Sequence, residues 1–165
     1  MDEKFYLTQF QQAAAKLDKE LLHKKNLEVE TGVWLDSVVL KLHKRHWANN
    51  PDAKPQTGAG IFFSVWLGND DLKSNKLCYN IHALKLRQLN GYTITSRDFA
   101  ADFRQQFKKF EHNWPNVSVN FGPLTLMEGW QTIDLKSTEE DVFNIAQKFF
   151  EIDSLIDSLL SHRKK

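Results

Sequence analysis

A chain of 165 residues with 22 Lys plus Arg against 21 Asp plus Glu has a formal charge of +1, so no whole-molecule field draws it to nucleic acid or an anionic membrane. Its 41% hydrophobic content, including 12 Phe, 5 Trp and 3 Tyr, excludes a disordered chain and suffices for the core of one domain spanning residues 1–165. The single cysteine, Cys78, fits a reducing compartment. No stretch approaches the roughly 20 apolar residues of a membrane span, and Met1-Asp2-Glu3-Lys4 lacks a signal-peptide pattern, so a cytoplasmic chain is expected.

The first helix is predicted from Glu3 to Lys24, where Leu7, Phe10, Ala14, Leu17 and Leu21 recur at three- and four-residue steps. A second helix is predicted from Val33 to Trp47, with Leu35, Val38, Val39 and Leu42 as its apolar stripe and a basic opposite side. Asn49 to Gly58 is dense in turn formers and reads as an exposed loop. Strand-type runs follow at Ile61–Leu67, Leu77–Leu86, Val117–Phe121 and Trp130–Leu135, with Gly68-Asn69-Asp70-Asp71 as a turn between the first two. A third helix, capped by Thr95 or Ser96, lines Phe99, Phe103, Phe107 and Phe110 along one face. The last opens on a capping box, Ser137 to Glu140, and runs to about Ser161.

Strands in the middle and helices at both ends predict an α+β domain. Its centre is an antiparallel or mixed sheet of about four strands, packed by N- and C-terminal helices and one internal helix. Alternation along the strands puts Ile61, Phe63, Val65, Ile81, Val119, Ile133 and Leu135 on a buried face together with Phe99, Phe103, Phe149 and Ile156 from the helices. The opposite face then collects Phe62, Trp66, Asn80, His82, Trp130, Thr132 and Asp134. Aromatics that supply area, beside polar groups that fix orientation, make that face the candidate ligand site, centred on Phe62, Trp66, Asn80, His82, Trp130 and Asp134. A second layer of helix or loop over it would turn the same residues into core.

His82 and Asp134 form a base-and-orienter pair if their strands are neighbours, but no nucleophile or metal is marked as the third partner. Their enzymatic reading is most specific as a metal-dependent nuclease: Pro51-Asp52 and Asp134-Leu135-Lys136 spell Pro-Asp…Asp-x-Lys, although whole strands separate the halves. His43 and His46 sit three apart on the second predicted helix without further ligands to complete a metal site. Lys41, Lys44 and Arg45 on that helix, with Arg97, Arg104 and Lys108 on the third, are the residues a nucleic acid would meet. Gly-rich phosphate loops, Gly-x-Ser-x-Gly, His-Glu-x-x-His and Cys-x-x-Cys are absent from the sequence, so no cofactor is indicated and binding is favoured over catalysis. The sequence thus reads as an intracellular binding or interaction domain for a ligand, nucleic acid or protein, with an enzyme centred on His82 and Asp134, or a structural dimerising domain, as the alternatives.

Overall fold

The computed structural model describes residues 1–53 and 57–165. Lys54, Pro55 and Gln56, from the predicted loop, lie outside the described residues. The predicted first helix is two: α1 (Glu3–Lys16) and α2 (Lys19–Lys25). Between them Leu17 turns extended and buries its side chain, and the Asp18 carboxylate caps α2 by accepting from the Leu21 amide at 3.1 Å. Apolar periodicity runs through this break because a cap interrupts the backbone without interrupting the stripe.

The predicted helix from Val33 to Trp47 is instead a β-hairpin, β1 (Glu28–Trp34) and β2 (Ser37–His43), followed by a 3₁₀ turn at Arg45–Trp47. Trp34 pairs with Ser37 across a two-residue turn in which Leu35 and Asp36 both take positive φ, 52° and 62°. Such a turn matches strand twist but normally advertises itself with Asn-Gly or Asp-Gly; Leu-Asp conceals it. The four residues of the predicted helical stripe divide between faces: Val38 and Leu42 are buried, Val39 points the other way, and Leu35 is 99% exposed at the tip.

The sheet has five strands rather than four, completed by β3 (Gly60–Leu67), β4 (Lys76–Leu84) and β5 (Thr125–Thr132), all antiparallel in the order β1-β2-β3-β4-β5. A five-residue helix, α3 (Asn69–Lys73), occupies the predicted turn after β3, and Asp71 accepts from the Gly68 amide at 2.8 Å. The last strand lies earlier than predicted, so Leu135 falls outside it and is 45% exposed. Val117–Phe121 is not a strand: Ser118 alone bridges to Glu128, and Val119 is only half-buried.

On one face of the sheet Leu40, Ile61, Phe63, Val65, Tyr79 and Ile81 are fully buried beneath the long helices. The internal helix α4 (Ser96–Phe107) brings Phe99, Phe103 and Phe107 as expected. The predicted last helix is interrupted: α5 (Thr138–Lys148) and α6 (Asp153–Ser161) flank a 3₁₀ turn at Phe149–Glu151. That turn lays Phe149 flat on Phe63, with ring centroids 4.6 Å apart, and Trp114 links Phe63 and Tyr79 to Phe107. Tyr79 crosses Gly129 on β5 to donate its hydroxyl to the Pro115 carbonyl at 2.6 Å, a path that a Cβ at Gly129 would block. On the other face of the sheet the Cys78 thiol donates to Asp71 of α3.

Candidate functional site

The hydrogen-bond register aligns side chains of the less covered face into rows. Glu30, Lys41, Ser64, Asn80 and Glu128 are successive partners across all five strands. Beside them runs Gly32, Val39, Trp66, Cys78 and Trp130, and on the other side Phe62 pairs with His82. Sheet twist and the β1–β2 hairpin shape these rows into a concavity of about 690 Å³, whose walls include Trp34, Val39, Phe62 and Trp66.

Gly32 decides where Trp34 lies. A Cβ at Gly32 would stand 2.9 Å from the Trp34 ring, so only glycine lets the indole fold down along its own strand. The ring then sits 5.1 Å from the Lys41 Nζ, and the Phe62 ring takes the same ammonium at 4.3 Å. Lys41 is 7% exposed, and no carboxylate among the described residues lies within salt-bridge distance of it. Burial lowers its pKa, partly offset by the more distant Glu30.

The polar floor is a chain of hydrogen bonds. Ser64 Oγ donates to Asn80 Oδ1 at 2.7 Å, and Asn80 Nδ2 donates to Glu128 Oε1 at 3.2 Å and to His82 Nε2 at 3.1 Å. With Nε2 accepting, the His82 proton resides on Nδ1. Burial, seconded by the Lys41 charge, holds the His82 pKa below its ordinary value and favours the neutral ring, which lies tilted at 45° against Phe62 with centroids 4.8 Å apart. Burial and then Asp71 push the Cys78 thiol up to about 12, which disfavours its thiolate.

Of the six predicted ligand-face residues, Phe62, Trp66, Asn80 and His82 line the concavity. Trp130 shares the Trp66 row at its β5 end, with Lys76 Nζ 4.2 Å from its ring. Asp134 does not join them. The β4–β5 ladder pairs His82 with Thr125 and Lys76 with Thr132, so Asp134, beyond Thr132, lies off the end of the ladder opposite to His82. It accepts from the Lys136 amide at 2.9 Å instead. Asp52 is paired with the Arg45 guanidinium at 2.8 and 2.7 Å, and among the described residues no three His, Cys, Asp or Glu side chains converge as metal ligands.

The basic residues also disperse, because the predicted second helix is a hairpin. Lys41 enters the concavity. Lys44, three residues on, is 4% exposed and bonded to Asp153 at 2.9 Å and Asp157 at 2.5 Å. Arg45 holds Asp52, with Glu28 at 3.6 Å. His43 is buried on β2 within 3.3 Å of Glu30, whereas His46 bonds Asp157 at 2.9 Å from the 3₁₀ turn. Arg97 on α4 and Lys108 just past its end are exposed, but Arg104 of α4 donates to the carbonyls of Phe121, Gly122, Thr125 and Leu126 and so anchors the approach to β5.

Trp34, Val39, Ser64 and Glu128, with Gly32 beneath the Trp34 ring, are among the site residues that sequence reasoning missed. Glu28 to Trp34 does alternate Glu, Val, Glu, Thr, Gly, Val, Trp, a period-two signal that would have revealed β1 and, through it, Trp34. Among the described residues no helix is long and apolar enough to cross a membrane. Comparison with protein-family models, curated proteins and solved structures finds no match to this chain.

Proposed function

We propose that the protein is a binding domain whose site is the concave face of the sheet, taking a small molecule with a flat apolar body. The observation that carries this reading is the concavity of about 690 Å³ walled by Trp34, Phe62 and Trp66 over a hydrogen-bonded floor. Its size falls in the range of roughly 300–1,000 Å³ common to ligand sites, and few but fixed polar groups among aromatics is their usual chemistry. Binding accounts for the site better than catalysis: the thiol is held protonated, the imidazole is engaged by Asn80, and Asp134 stands elsewhere. The test is calorimetric titration with a neutral probe, 1-naphthaleneethanol, against the unmodified protein, Phe62→Ala and Trp66→Ala. Loss of at least tenfold in affinity in both variants, with folding verified by circular dichroism, supports the site; unchanged affinity in both overturns it.

A further inference from the structure

Lys41 distinguishes this concavity from a merely greasy one. Its neighbour in sequence, Lys44, is also buried but is bonded to both Asp153 and Asp157. Lys41 Nζ instead stands against two aromatic rings with its hydrogens directed at no carboxylate among the described residues. A buried ammonium is retained at a cost unless an anion completes it, and the concavity is where an anion can reach it. His82 adds a neutral donor nearby: both its ring and the Lys41 ammonium lie against Phe62, at 4.8 and 4.3 Å.

The surrounding charges limit the anion. Glu30 and Glu128 occupy the same row on either side of Lys41, and Asn80 holds the Glu128 carboxylate in place. Glu30 faces Lys41 from the adjacent strand and Glu128 stands three strands along the row, so every further negative charge on a ligand adds repulsion, and that limits the ligand to the fewest charges that still pair with Lys41. A carboxylate meets that limit, and its two oxygens can accept from Lys41 and from His82 Nδ1. The wall of Trp34, Val39 and Trp66 then receives an apolar body extending from it.

Resting on the reading of this face as a ligand site, we propose that its ligand class is the apolar or aromatic monocarboxylates, with Lys41 as the carboxylate anchor. The experiment titrates four molecules sharing one ring system into the protein by calorimetry at low salt: 1-naphthylacetate, 1-naphthaleneethanol, 1-naphthylmethylamine and 1-naphthyl phosphate. The acetate should bind about tenfold or more tightly than the alcohol, the gain expected of a charge-assisted hydrogen bond, and more tightly than the amine or the phosphate. Lys41→Met should bring the acetate down to the affinity of the alcohol. Equal binding of acetate and alcohol, or preference for the amine or the phosphate, overturns the anchor while leaving the site standing. Failure of all four to bind overturns both. The four-ligand series on the unmodified protein decides the matter should Lys41→Met not fold.

Discussion

Tyr79 and Trp34 each lie across a glycine, Gly129 on the covered face of the sheet and Gly32 on the concave one. On the covered face the ring is enclosed by Phe63 and Trp114, and its hydroxyl is spent on the Pro115 carbonyl. On the concave face the ring has a lysine beside it and solvent within reach. The same device of ring over glycine therefore serves packing in one place and leaves a recognition surface in the other. What separates them is enclosure: Tyr79 is fully buried in the core, whereas Trp34 lines the concavity.

Substitutions at matched positions test that contrast. The largest effect is expected from adjacent phenylalanines: Phe63→Ala, which empties the place stacked on Phe149, should cost roughly 3–5 kcal/mol in urea unfolding, and Phe62→Ala less than half of that. Equal costs would mean that the concave face is as load-bound as the core and would break the comparison.

The two buried lysines come next. Lys44→Met takes the ammonium from Asp157 and leaves the buried Asp153 with Lys25, and should destabilise by roughly 3 kcal/mol or more. Lys41→Met removes a charge with no paired carboxylate and should be neutral or stabilising by about 1 kcal/mol. The pH dependence sharpens this: because the Lys41 pKa is lowered on folding, the cost of its charge is full at neutral pH and fades as pH rises towards 10.5, so the gain from Lys41→Met should shrink over that range. Lys44, with a raised pKa despite its burial, behaves oppositely, and its contribution is lost as pH rises above 10.5.

At low pH the carboxylate side of that cluster becomes visible. Burial alone would raise the Asp157 pKa, but hydrogen bonds from His46, Lys44 and Trp47 bring it to about 2. Its stabilisation is present above the ordinary value of 3.8 and is lost as pH falls towards 2, so the urea midpoint of the unmodified protein should fall more steeply there than that of Asp157→Asn.

A smaller difference separates the glycines. Gly129→Ala drives a methyl into the Tyr79 hydroxyl and within 2.9 Å of the Pro115 carbonyl oxygen, neither free to retreat, and should lower the unfolding midpoint clearly. Gly32→Ala meets only the Trp34 ring, which has solvent to move into, and should cost about 1 kcal/mol or less while weakening naphthalene binding. The smallest effect is chemical: with its thiol held up near 12, Cys78 should react with a disulfide reagent at pH 8 far more slowly than in the urea-unfolded chain. Rapid labelling of the folded protein would show the margin by α3 to be open.

Much of the covered face was legible because alternation in β3 and β4 is strict: Ile61, Phe63, Val65 and Ile81 are all buried as their parity requires. The same parity grouped Phe62, Trp66, Asn80 and His82 on the other side, where the register does place them. The β1–β2 hairpin escaped because Leu35-Asp36 carries no glycine to mark the turn, and because Leu35, Val38, Val39 and Leu42 satisfy a helical spacing by coincidence. The His82–Asp134 pair failed for a different reason, since strand length and register, not parity, decide which end of a ladder a residue occupies.

The sequence by itself determined the α+β class, the apolar face of the central strands and the aromatic stripe of α4, all of which follow from local periodicity and the need to bury it. Only the tertiary structure decided that Lys41 and Lys44, three residues apart, meet opposite fates. Strand alternation turns them to opposite faces, and what waits there, two aspartates from α6 or a pair of aromatic rings, is supplied by elements more than a hundred residues distant for one and by neighbouring strands for the other.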